Sequence, residues 1–360
     1  HRLSIEAARV VYRAREAMAG LLGVSDPLRV VFCANATHAL NLALFGLLEP
    51  GQHVVTTAME HNSVMRPLRA LEAEGVTVSV APCSPQGVLD PADVEQALRP
   101  ETALIAMTQA SNVVGTLLPV REVATLARAH GIPLLVDGAQ SVGAMPIDME
   151  DLGVDLLAFT GHKSLYGPTG TGGLVIGERM DAGRLRPFVH GGTGSWSESQ
   201  NQPEFLPDKF ESGTANAVGL AGLEAGVRWV MEQGVEELRD RGRGFTKRLI
   251  ERLGNIPGVT VYGTLDAAKQ LPVVSFTLDC LEPGELGLLL DERFGVAARV
   301  GLHCSPLAHS TLGTFPSGTV RLSLSAFTTV ADVDAAIDAV RQLACDARPI
   351  AAVEESSDRR

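Results

Sequence analysis

Seven runs of five or six mostly apolar residues recur through the first half of this 360-residue chain. They are LRVVFC (28–33), HVVTT (53–57), VTVSV (76–80), ALIAM (103–107), PLLVD (133–137), DLLAF (155–159) and GLVIG (173–177). Stretches with helical spacing lie between many of them, near 38–48, 63–74, 91–98 and 120–130. A strand that is apolar along its whole length needs cover on both faces, and intervening helices supply it. The pattern predicts an α/β fold with a mainly parallel seven-stranded sheet between helices.

The second half changes character. Residues 178–216 are loop-rich, with HGGTGS and FESGTAN, and two long helical patterns follow near 217–232 and 234–253. Pro257 and Gly258 mark a boundary. Beyond it VTVYG, LPVVSFTL, a helix near 283–294, TVRLSLS and a helix over about 330–345 predict a small C-terminal α+β domain. At the other end, a helix over 4–22 is expected behind Ser4 as cap, with Glu6 early. The expected division is an N-terminal segment 1–15 packing on the small domain, a large domain 16–256, a small domain 257–350 and a fraying polar tail 351–360.

A net charge of -12 leaves no basic footprint for nucleic acid or an anionic membrane. No apolar run reaches the roughly 20 residues that span a bilayer. Five cysteines, an odd number with no CxxC pair, argue against disulfides and a zinc site and for a reducing, cytoplasmic setting. The chain begins at His1 rather than Met, so a cleaved targeting peptide stays open.

Chemistry concentrates where the apolar runs end. Asp137 closes one run, and Gly161, His162 and Lys163 follow another. In open α/β sheets ligands bind beyond the carboxyl ends of strands. An acid and a lysine at such ends suit pyridoxal phosphate, which takes a lysine amine as a Schiff base and an acid for its ring nitrogen. The stretch NATHALN opens a helix after VVFC, so its amides and the Thr37 hydroxyl offer a phosphate site. No GxGxxG follows a strand and opens a helix, and GPTGTGG leads into a strand instead, which disfavours a nicotinamide dehydrogenase. Cys304, in RVGLHCSP, falls in an exposed turn where His303 and Arg299 would favour its thiolate. Lysine, acid and cysteine together suggest a reaction that moves sulfur. The plain alternatives are a solvated Lys163, a turn-capping Asp137 and an Arg321 in a surface ion pair.

The ordered motifs HRLS, NATHALN, MEHNS, ASNVVG, DGAQS, FTGHKSLYGPTGTGG, FESGTAN, RVGLHC and VRLSLSAFTT run over nearly the whole chain. In them the chain resembles class V aminotransferases of the type I pyridoxal-phosphate fold, and within these the cysteine desulfurase and selenocysteine lyase branch. The resemblance implies Lys163 as the Schiff-base lysine and Asp137 as the partner of the ring nitrogen. Gln140 would bond the phenolic oxygen, and His61 would stack on the ring and assist proton transfer as a catalytic residue. Ala36, Thr37, Thr160 and His162 would meet the phosphate. Thr214 would reach the neighbouring subunit's phosphate, which implies a homodimer. Asn112 would lie near substrate and cofactor oxygens. Arg321, with Arg299 as a second candidate, would grip the substrate carboxylate, and Cys304 would take up sulfur. Two departures stand out: Ala36 replaces a threonine common in relatives, and CSPLAH replaces a CAQPL-like run.

The expected activity is therefore removal of sulfur or selenium from L-cysteine or L-selenocysteine, giving alanine and a persulfide for an acceptor thiol or protein. A class V aminotransferase or other amino-acid lyase that ignores Cys304 is the second reading. A scaffold that merely keeps the fold is the third.

Overall fold

The computed structural model describes residues 1–346, so the tail expected at 351–360 and the last four residues of the expected small domain lie outside it. The chain forms two compact units. The larger comprises His1–Cys83, Leu89–Ala110 and Leu118–Arg239, and the smaller comprises Ser84–Val88, Ser111–Leu117 and the described residues from Asp240 to Asp346.

The larger unit opens with helix α1 (Arg2–Leu22). It then alternates β1 (Val30–Cys33), α2 (Ala36–Leu47), β2 (His53–Thr57), α3 (Asn62–Ala73) and β3 (Thr77–Ala81). Next come α4 (Pro91–Ala97), β4 (Thr102–Thr108), α5 (Val120–Ala129), β5 (Leu134–Asp137), α6 (Met149–Leu152), β6 (Leu156–Thr160) and β7 (Gly172–Ile176). Helix α7 (Ala217–Gln233) follows, and α8 (Val235–Gly254) begins in this unit and continues as the first helix of the smaller one.

The sheet order is β1-β7-β6-β5-β4-β2-β3. Strand β7 runs antiparallel to both β1 and β6, and the other neighbours are parallel. The expected mostly parallel seven-stranded α/β sheet is the fold observed. Every residue of β2, β5, β6 and β7 is buried, as continuous apolar strands require. The covering helices are amphipathic: α5 buries Val120, Val123, Ala124 and Ala127 at three- and four-residue steps.

The smaller unit carries β8 (Val259–Tyr262), β9 (Val273–Leu278), α9 (Pro283–Phe294), β10 (Arg299–Gly301), α10 (Pro306–Thr311), β11 (Thr319–Ser323) and α11 (Val330–Asp346). Its antiparallel sheet has the order β10-β11-β9-β8. Leu249, Leu253, Phe276, Leu290, Val320, Ile337 and Val340 fill its core.

Three expectations need correction. Helix α1 starts at Arg2 with His1 as its cap residue, so Ser4 lies inside the helix. Residues 1–15 belong to the larger unit, where α1 packs along α7, rather than forming a separate segment. The division falls at Arg239 and Asp240, within α8, because the helix carries its apolar stripe Leu249, Ile250 and Leu253 into the smaller core. Helix continuity hides such a boundary from a search for Pro and Gly.

Candidate active site

In the larger unit the carboxyl ends of β1, β2, β4, β5 and β6 lie along one edge of the sheet. Asp137 ends β5 and is buried. Its Oδ1 accepts the Ala139 amide at 2.9 Å, a turn that fixes the carboxylate. Its other oxygen makes no hydrogen bond among the described residues. Gln140 follows, half-buried. Thr160 ends β6, is buried, and its hydroxyl lies 2.9 Å from His162 Nδ1. Burial and the Lys163 charge hold His162 below the usual histidine range, so its ring is neutral. Lys163 is exposed, three residues past the strand. Only glycine fits at 161: a Cβ there would sit 2.1 Å from Thr171 Oγ1.

Helix termini place the other groups. Asn35 caps α2 by accepting the His38 amide at 3.0 Å, so buried Ala36 and exposed Thr37 form its first turn. His61 caps α3: its Nδ1 accepts the Ser63 amide at 3.0 Å. Accepting there puts the ring proton on Nε2. Ser63 Oγ lies 2.7 Å from Thr37 Oγ1 and 2.9 Å from His61 Nδ1, which ties the two motifs together. Thr214 is exposed on the loop before α7 and makes no hydrogen bond among the described residues.

Behind this edge lies a fully buried acid. Glu60 Oε1 accepts the Thr57 hydroxyl at 2.6 Å and the Thr108 amide at 2.9 Å, while Oε2 has no partner among the described residues. Thr108 stands opposite Asp137 in the β4–β5 register. Burial pushes the Glu60 carboxyl up to about 8; the Thr57 and Thr108 bonds pull it down and the Asp137 charge adds to the rise. Burial therefore favours the protonated form of this acid.

The smaller unit holds Asn112, Arg299, Cys304 and Arg321. Arg299 and Arg321 stand directly opposite in the β10–β11 register. Like charges so placed repel, and an anion relieves them. Arg321 is half-buried, its Nη1 donates to the Asn112 carbonyl at 2.7 Å, and its buried Nε is unsatisfied. Burial and Arg299 lower its pKa, and Cys304 acts in the opposite sense. No acid pairs with it among the described residues, so the surface ion-pair alternative does not apply. Cys304 is exposed, between β10 and α10, with φ 60 beside His303 at φ 48. Two successive non-glycine residues in the left-handed region make a sharp, strained turn.

The family profile of Aminotransferase class-V matches residues 1–336. The chain belongs to the aminotransferase class-V family. A probable cysteine desulfurase of Methanothermobacter thermautotrophicus is 33% identical over 346 residues, 95% of this chain and 86% of that protein. A cysteine desulfurase of Pectobacterium atrosepticum is 33% identical over 351 residues, 95% of this chain and 84% of that protein. Among solved structures, the apo cysteine desulfurase of Thermococcus onnurineus NA1 superposes with TM-score 0.90 at 31% identity, covering 96% of this chain and 86% of that one.

Four residues of these surroundings carry no signal in the sequence that singles them out. Glu60 and Ser63 sit inside the MEHNS motif, whose histidine drew attention away from its neighbours. Ser305 and Thr319 bond to the residues around Cys304 and carry no motif signal of their own. One expectation reverses. Burial, with the Arg321 charge behind it, pushes His303 down to about 3, so His303 is neutral and lends the Cys304 thiolate no charge. Arg299 and Arg321 remain as the cations there. Asn112 engages both residues flanking Cys304, through Nδ2 to the His303 carbonyl and through Oδ1 from the Ser305 hydroxyl.

Proposed function

We propose that this class-V protein is a pyridoxal-phosphate-dependent cysteine desulfurase. The observation that carries the reading is the opposed pair Arg299 and Arg321 beside Cys304, a carboxylate grip built next to an exposed thiol. The names of the relatives support the same reading.

The residues of the larger unit fit the cofactor. Asp137 is buried with one oxygen unbonded, as a partner for a protonated ring nitrogen requires. The first turn of α2 with Thr37, and the pair Thr160 and His162, suit a phosphate. His61, locked as a cap, would face the ring; Gln140 would bond its phenolic oxygen; Lys163 would hold its aldehyde carbon. When bound, the cofactor withdraws electrons from the substrate's Cα–H bond.

The chain's own groups then have distinct tasks. Arg321, backed by Arg299, binds the substrate carboxylate with a planar fork. Lys163 takes the Cα proton and returns it. The Cys304 thiolate attacks the substrate sulfur: an S–S bond forms, the Cβ–S bond breaks, and its electron pair stays on carbon, which takes up a proton. Alanine leaves and Cys304 carries the persulfide, to be passed to an acceptor thiol or protein. Selenocysteine would follow the same path with selenium. Exposed Thr214 fits a contact to a second copy's phosphate, hence a homodimer.

The test is incubation of the cofactor-loaded protein with L-cysteine, measuring alanine, sulfide and protein-bound sulfane sulfur, with Cys304→Ser alongside. Equal sulfur release by parent and variant would refute the role of Cys304 and favour an amino-acid lyase or aminotransferase.

A further inference from the structure

We propose that Ser305 and Asn112 form a clamp that aims the Cys304 thiol and sets its spacing from the carboxylate grip, which makes both positioning residues. The inference rests on the reading of Cys304 as the sulfur carrier. All the residues concerned lie in the smaller unit.

Asn112 reaches both neighbours of the cysteine. Its Nδ2 donates to the His303 carbonyl at 2.7 Å, and its Oδ1 accepts the Ser305 hydroxyl at 2.7 Å. Cys304 is the one residue between these anchors. Both His303 and Cys304 adopt positive φ, a conformation that side chains other than glycine avoid unless held. Further bonds brace the turn: the Ser305 amide donates to Leu302 O at 2.8 Å, and His303 Nε2 lies 3.1 Å from Thr319 Oγ1. His303, Ser305, Asn112 and Thr319 are all buried while Cys304 is exposed. The network fixes everything about the turn and leaves the thiol outside.

Asn112 also accepts Arg321 Nη1 on its backbone carbonyl at 2.7 Å. One residue therefore bonds the arginine that grips the carboxylate and both flanks of the thiol that receives sulfur. The distance between carboxylate and sulfur in the substrate is read against that fixed spacing. The serine matters because it is where CSPLAH departs from the CAQPL-like run: an alanine there offers Asn112 Oδ1 no donor.

The experiment uses the loaded enzyme with Ser305→Ala, Asn112→Ala and the double variant. Alkylation of each cysteine by iodoacetamide is followed by peptide mass spectrometry across pH, beside alanine and sulfane sulfur. Burial pushes the thiols of Cys33 and Cys83 up to about 12, so they serve as internal reporters of general opening. Loss of one hydrogen bond should change the Cys304 labelling rate and lower its sulfane sulfur by about fivefold each, with Cys33 and Cys83 unchanged. The double variant should lose no more than Asn112→Ala alone, as expected for groups acting as a unit. A wild-type labelling profile and wild-type sulfur transfer in Ser305→Ala would overturn the clamp, as would equal rises at all three cysteines. If Cys304→Ser is inactive and Ser305→Ala is normal, the clamp alone fails. If Cys304→Ser keeps full sulfur release, the reading of Cys304 itself fails.

Discussion

Replacing Glu60 by Gln should flatten the pH dependence of stability between about pH 4.5 and 8. In the fold the Glu60 carboxyl is buried, with Oε2 unpartnered, and titrates at about 8 against an ordinary 4.5. The unfolded chain releases this proton near the ordinary value, while the native state keeps it. Through that window the native state binds more protons, so stability is fully present below the unfolded value and is lost as pH rises through the native one. At about 1.4 kcal/mol per pH unit, the loss over this window is on the order of 5 kcal/mol. Glutamine keeps an oxygen for the Thr57 hydroxyl and the Thr108 amide, and it does not titrate. The assay is urea unfolding of parent and variant at half-unit pH steps, read as a difference curve so that all other titrations cancel. The two proteins should match closely near pH 4.5, and the variant should lead by several kcal/mol near pH 8.5. Parallel curves across the window would refute the reasoning, since they would mean that Glu60 ionises at the same pH folded and unfolded.

Lys163→Ala should lose covalent cofactor and lower alanine formation by about 10²- to 10⁴-fold. Borohydride treatment and peptide mapping of the parent should place the cofactor's mass on Lys163; finding it on another lysine would reject that role. Arg321→Lys keeps the charge but loses the fork, so kcat/KM for cysteine should fall about 10- to 100-fold, mostly through KM. Arg15→Met should destabilise by about 3–5 kcal/mol, because buried Arg15 pairs with Glu211, and the variant strands that carboxylate beside the Phe32 amide. An unfolding midpoint shift worth less than about 1 kcal/mol would show that the pair is dispensable.

The strands of the larger unit were legible because burial on both faces forces a continuous apolar composition; β2, read as 53–57, spans His53–Thr57. The same logic placed Asp137 and Lys163, since strand ends are where such runs stop. Strand β10 was not legible: its three residues, two of them exposed, carry no apolar pattern. Short helix α10 likewise lies below the length at which periodicity speaks. The assignment of His303 as a helper cation failed for a different reason. Sequence proximity to Arg299 and Cys304 said nothing about burial, and burial decides its charge. Glu60 illustrates the converse, a carboxylate by composition that the fold keeps as an acid.

The smaller unit is sewn from three separate stretches of chain. Ser111–Leu117 joins it through the Leu271 amide on Gly115 O at 2.8 Å, the Leu117 amide on Lys269 O at 2.9 Å and the Ser275 hydroxyl on Val113 O at 2.6 Å. A gene fragment beginning at codon 240 would therefore encode a body with an open seam from Lys269 to Ser275, stripped of the asparagine that braces its cysteine turn. Dissection of this protein calls for supplying the 111–117 strip in trans, or grafting it through a designed linker, before any isolated C-terminal piece is asked to carry sulfur.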